Sequence, residues 1–198
     1  MHPPSYTGSI LATIARDQRL SHLVSVVCAP QHSLDVLSPF ALRQALEADL
    51  NPLGCPSPHG AAAVGTDAIA LIVWAFSAGC VGAAPLVTYW QRHRGPVLAL
   101  FMVDGWGVPR PPGVPVHRLS HDWFTNDTSG WLGAGDEDFY ADPAVPHLTL
   151  WQQPQAVAGW AMTPGNPRQG MTAAEFLCGR SRGYVERYQR RSPLEVIP

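Results

Sequence analysis

The stretch Ala68–Ala84, AIALIVWAFSAGCVGAA, decides the fold. Its apolar run from Ile69 to Phe76 is strand-like. It drives straight into Ser77, and a helix-compatible run from Val81 to Arg92 follows. Ala75, Ala78 and Gly79 flank the serine with small side chains, as a turn that folds back tightly requires. The order strand, tight turn, helix puts a hydroxyl at the turn, where backbone geometry and a nearby base can turn a weak nucleophile into a reactive one. A second reading makes Ser77 an ordinary polar turn residue that caps the helix.

Outward from this stretch the pattern repeats. Ser9–Leu20 reads as a helix, Leu23–Ala29 (LVSVVCA) as a strand, and Phe40–Leu50 as an amphipathic helix. Beyond the stretch, Val97–Val103 (VLALFMV) and Val116–Leu119 read as further strands. Asn51–Gly65 and Gly107–Pro115 are rich in proline and glycine and read as irregular, as does Thr125–Pro146. Pro154–Trp160 reads as a short helix and Gly165–Gly170 as a linker. Thr172–Arg191 reads as a terminal helix with a capping box, Thr172 and Glu175 three residues apart. Continuous apolar strands alternating with helices imply a small, mostly parallel sheet covered on both faces, an α/β fold. Side chains that act on ligands then gather at the carboxyl ends of the strands, where Ser77, Asp104 and Asp122 fall.

Composition narrows the classes. The chain has 198 residues, 46% hydrophobic and 14% charged, which points to one globular domain with a substantial core. A net charge of −2 gives no broad field for nucleic acid or a membrane surface. The chain has no lysine, so its thirteen basic residues are all arginine. Arg180, Arg182, Arg187, Arg190 and Arg191 crowd the terminal helix, which makes it either a solvated face or a docking face for an acidic protein partner. Met1–Thr7 lacks a basic start and apolar core, and no apolar run approaches the roughly 20 residues of a membrane span. Cys28, Cys55, Cys80 and Cys178 are widely spaced, without a CxxC pair, so reduced thiols and a cytoplasmic setting are expected.

The segment Ala75-Phe76-Ser77-Ala78-Gly79 resembles the nucleophile elbow of the α/β-hydrolase superfamily, with Ala75 where the family usually has glycine. The resemblance runs over roughly residues 23–160, and the chain order of serine, acid and histidine agrees with it. It implies a compact serine esterase or thioesterase with Ser77 as nucleophile. His147, in VPHLTLW, is the implied base, and Asp122, after the strand Val116–Leu119, the implied acid. Asp104, after the strand that follows the elbow helix, is the alternative acid and Asp127 a third. His121 is the rival base, set aside because its side chain is expected to point elsewhere. The oxyanion hole would combine the amides of Ala78 and Gln31, Pro30 having no N–H to offer. The substrate would be a small acyl compound, with no cofactor and no metal. The pair His117 and His121, four apart, has metal-ligand spacing only on a helix, whereas here it falls on a strand. Gly105, Gly107 and Gly113 form no phosphate loop, and no lysine exists to complete one. Trp106, Trp123, Phe124, Trp131, Phe139 and Tyr140 either line an acyl pocket or pack loops onto the sheet. The competing function is a hydrolase-like fold kept as a non-catalytic binding or assembly factor. Geometry discriminates the two: catalysis needs Ser77 Oγ within hydrogen-bond reach of His147, and an aspartate on the other ring nitrogen.

Overall fold

The computed structural model describes residues 4–29, 34–50 and 69–191. Its centre is a six-stranded sheet in the order β1-β2-β3-β4-β5-β6. The strands are β1 (Leu71–Phe76), β2 (Val97–Val103), β3 (Val116–Ser120), β4 (Glu137–Ala141), β5 (Ala158–Met162) and β6 (Gln169–Thr172). β1 to β4 run parallel, while β5 lies antiparallel to both β4 and β6. The sheet is thus mixed and mostly parallel, with helices packed against it, as the apolar runs imply.

β2 shows why. Ala99, Phe101 and Val103 point to one face and Leu100 and Met102 to the other, and all are essentially inaccessible to water. A strand apolar on both faces is stable only with a layer on each side. One layer is α4 (Gly79–His93), with α3 (Pro39–Leu50) against it; Cys80, Ala83, Val87 and Trp90 of α4 meet Leu100, Met102 and Val116. The other is α7 (Ala173–Arg191), whose Phe176 and Leu177 pack with Phe101, Phe139 and Leu150. Trp74 Nε1 donates to Ser181 Oγ at 3.0 Å, pinning β1 to α7. α4 sits so close to its neighbours that a Cβ on Gly82 would come within 2.3 Å of the Val36 carbonyl oxygen.

The remaining helices are α1 (Pro4–Arg16), α2 (Gln18–Ser21), α5 (Trp123–Gly130) and α6 (Thr149–Gln152). The capping box of α7 forms as its spacing requires. The Thr172 amide donates to Glu175 Oε2 at 2.7 Å, and the Glu175 amide to Thr172 Oγ1 at 3.2 Å. Arg118, buried on β3, donates to the carbonyls of Gly133 and Val108 at 2.8 and 2.9 Å, tying two loops to the sheet.

Four expectations are corrected. Leu23–Ala29 is irregular, with Val26 and Val27 exposed, because it finds no ladder partner among the described residues. Thr125–Pro146 is no loop: it holds most of α5 and all of β4, whose charged residues Glu137 and Asp138 hid a strand ending in buried Phe139-Tyr140-Ala141. Pro154–Trp160 is not helical, and β5 starts within it. The linker Gly165–Gly170 runs into β6. No helix among the described residues is long and apolar enough to cross a membrane.

Candidate active site

The parallel ladder carries on past the ends of β1 and β2. The Ser77 amide donates to the Val103 carbonyl at 2.8 Å, and the Asp104 amide to the Leu119 carbonyl at 2.7 Å. Both residues then turn sharply, Ser77 with φ 52° and Asp104 with φ 51°. Positive φ is uncommon for residues other than glycine, and its local strain persists only where surrounding structure enforces it. Two such residues side by side at the carboxyl edge of a sheet mark the place to look for chemistry.

Cys80 enforces the pair from below. It is fully buried, its Sγ lies 3.4 Å from the Ala75 carbonyl, and burial pushes its thiol up to about 12. The chain leaving Asp104 passes directly over it. A Cβ on Gly105 would lie 2.8 Å from Cys80 Sγ, so a glycine is needed after the aspartate.

His147 arrives from the β4–α6 connection. Its Nδ1 lies 2.8 Å from Asp104 Oδ2 and its Nε2 lies 3.2 Å from Ser77 Oγ. A carboxylate only accepts, so Nδ1 carries the proton and Nε2 is left to accept from the serine hydroxyl. The ring stacks on Phe76 at 4.8 Å, and Phe76 stacks in turn on Trp151 of α6 at 5.2 Å. The residue before the serine thus fixes the plane of the imidazole. The Asp104 side chain is 2% exposed and that of His147 39%, so the chain runs from a dry acid to an accessible ring edge.

Asp104, not Asp122, is the acid on His147. Asp122 is the N-cap of α5: its Oδ1 accepts the Thr125 amide at 2.6 Å. Burial raises its pKa, but the hydrogen bonds from Thr125 outweigh this and hold it below the usual carboxylate range. An aspartate between a strand and a helix start is a capping signal, and it could have turned the choice toward Asp104. Asp127 lies within α5, and the His147 ring nitrogens face Asp104 and Ser77 instead.

His121 points into the site, against expectation. Its backbone amide and its Nδ1 both donate to Asp104 Oδ1, at 2.9 and 3.0 Å, and its Nε2 lies 3.3 Å from Asp122 Oδ2. His117 is elsewhere: a core residue bonded to the Glu137 carbonyl and to Tyr184 Oη, both at 3.0 Å. Among the described residues, the donor atoms of Asp104, His121 and His147 alone lie close enough together to hold a metal. Both Nδ1 atoms already face the Asp104 carboxylate, which leaves no lone pair of theirs for an ion.

Ala78 is the N-cap residue of α4, and its amide has no acceptor among the described residues. Gln31 lies outside the described residues. The aromatic cluster divides: Phe139 and Tyr140 are buried, whereas Trp106, Trp123, Phe124 and Trp131 are exposed. Trp123, Phe124, Tyr140 and Arg168 line an open groove of about 450 Å³ that reaches Asp122. Two of the terminal arginines are engaged within the fold, Arg180 with Glu137 at 2.6 Å and Arg182 with Asp17 at 2.5 Å.

No protein-family model, curated protein or solved structure matches the chain.

Proposed function

We propose that the protein is a serine hydrolase that cleaves a carboxylic ester or thioester through an acyl-enzyme on Ser77. The observation that carries this is the continuous chain from Ser77 Oγ through His147 to Asp104, at 3.2 and 2.8 Å. That chain has the geometry that catalysis requires, and it supports the hydrolase reading over the binding-factor alternative. Support comes also from the resemblance of the elbow to the α/β-hydrolase superfamily, with the acid after the strand next to the elbow strand.

In this reading Ser77 Oγ attacks the carbonyl carbon and His147 Nε2 takes its proton. Asp104 holds the ring in the Nδ1–H tautomer and stabilises the imidazolium that forms. The tetrahedral oxyanion lies against the Ala78 amide, with Gln31 as the expected second donor. His147 then returns the proton to the leaving alkoxide or thiolate. A water activated by the same nitrogen attacks the acyl-enzyme and regenerates Ser77. The serine proton thus departs on the leaving group and a proton of the water restores the Ser77 hydroxyl, with His147 Nε2 carrying each in turn. The widely spaced thiols, without a CxxC pair, support a reducing, cytoplasmic setting as part of this reading.

A fluorophosphonate probe tests the reading. Wild-type protein should label, and Ser77→Ala should not. A folded wild-type protein that fails to label would return the binding-factor alternative.

A further inference from the structure

Asp104 presents two oxygens, and each faces a histidine. Oδ2 receives His147 Nδ1 at 2.8 Å; Oδ1 receives the His121 ring at 3.0 Å and the His121 amide at 2.9 Å. We infer that His121 is a positioning residue, whose ring locks the Asp104 carboxylate so that Oδ2 stays aimed at His147. The inference rests on the hydrolase reading for its kinetic consequence, but not for the arrangement itself.

A buried carboxylate at the tip of a turn has one free torsion that matters, the rotation about its last bond. A single hydrogen bond from His147 leaves that rotation weakly restrained. Two donors on the opposite oxygen restrain it, and they converge from one residue, so the restraint needs no second loop to be correctly placed. His121 is itself held on three sides. Its amide is on Asp104, its carbonyl accepts from the Val145 amide at 3.0 Å, and its Nε2 faces Asp122. The Val145 bond ties the end of β3 to the segment that carries His147, two residues later. His121 therefore registers the acid loop against the histidine loop.

The charged and titratable groups around the His121 ring are Asp104, Asp122 and the His147 ring, whose centroid is 5.8 Å away. With one ring proton, on Nδ1, the Nε2 lone pair faces the Asp122 carboxylate. With two, His121 donates to both carboxylates at once, and a positive charge sits against Asp104. Either way Nδ1–H remains on Oδ1. Outer partners that orient a catalytic group in this manner are worth about 10- to 100-fold in rate.

Two readouts on His121→Ala and His121→Asn test this. Asparagine keeps an N–H close to the Nδ1 position and alanine keeps none. Hydrogen-bonded ring N–H protons are observed by NMR, which needs no turnover. The wild type should show three such signals, from His117, His121 and His147; His121→Ala should lose its own, displace or broaden that of His147, and leave that of the distant His117 in place. Acylation of Ser77 by the fluorophosphonate should slow about 10- to 100-fold in His121→Ala, with a displaced pH midpoint, and return to within about threefold of wild type in His121→Asn. A folded His121→Ala that keeps an unshifted His147 signal, or labels within about twofold of wild type with the same pH midpoint, overturns the inference. If wild type does not label at all, the hydrolase reading fails and the NMR signals alone decide the role of His121. If His121→Ala does not fold, His121→Asn is compared with His121→Gln, whose amide reaches only the Nε2 position: the proposal requires the asparagine variant to be the faster, and equal rates overturn it.

Discussion

At the scale of single residues, the site is governed by which carboxylate reaches His147 Nδ1. Asp104 does so from a side chain almost closed to water, at 2.8 Å. Replacing it by asparagine offers Nδ1 an amide in place of an obligate acceptor and favours the wrong tautomer. Asp104→Asn should slow Ser77 acylation by about 10⁴-fold, measured by probe-labelling kinetics. Asp122→Ala acts on another quantity. It removes the cap of α5, so it should lower unfolding stability by about 1 kcal/mol in urea denaturation. The thiols divide in the same local way. Burial pushes Cys80 and Cys178 up to about 12, whereas Cys28 is exposed. At about pH 8 roughly one in 10⁴ of either buried thiol is ionised. Iodoacetamide followed by peptide mass spectrometry should therefore modify Cys28 and leave Cys80 and Cys178 untouched in the native protein.

At the scale of elements, α4 and its strand were legible because their signals are local. The apolar run, the small residues round Ser77 and the helical run after it lie within a few residues of one another. The capping box of α7 was legible for the same reason. β4 was not, because Glu137 and Asp138 open it, and its apolar half becomes a strand only between β3 and β5. Leu23–Ala29 fails in the opposite sense: it has the composition of a strand and lies exposed. Strand propensity describes fitness for a pleated, half-buried surface, and a neighbour has to supply that surface. The packing of α4 gives a test at this scale. A side chain at Gly82 would meet the backbone oxygen of Val36 at 2.3 Å, and that atom cannot swing away. Gly82→Val should cost about 1–3 kcal/mol of stability in urea denaturation, through displacement of α3 and its preceding turn.

At the scale of the whole molecule, His117 couples folding to pH. It is 1% exposed, stacked on Phe101 at 4.8 Å and bonded to Tyr184 of α7. Burial lowers its pKa from 6.5, more than its bond to the Glu137 carbonyl restores. A ring that holds its proton less readily when folded favours the unfolded chain in acid. Its contribution is therefore complete above about pH 6.5 and declines as pH falls through the lowered folded value. Asp138, raised by burial, contributes with the opposite sign at lower pH. The clean measurement is the difference between wild type and His117→Gln. The urea midpoint of the wild type should drop more steeply than that of the variant between about pH 7 and pH 5.

The amino-acid sequence by itself determined the layered α/β plan and the strand–Ser77–helix turn. Each of these is written in contiguous residues whose apolar period or small side chains leave one local conformation, whereas His147 was expected only from the resemblance of its segment to a family loop, and its meeting with Ser77 is made between segments 70 residues apart. Only the tertiary structure decided that Asp104 rather than Asp122 meets that ring, and that His121 shares the same carboxylate. Both aspartates follow strands and carry the same chemistry. What separates them is the register of β2 against β3 and the start of α5, which draws one carboxylate to a helix end and leaves the other facing two histidines. Such a choice is made by distances between segments far apart in the chain, which no local pattern encodes.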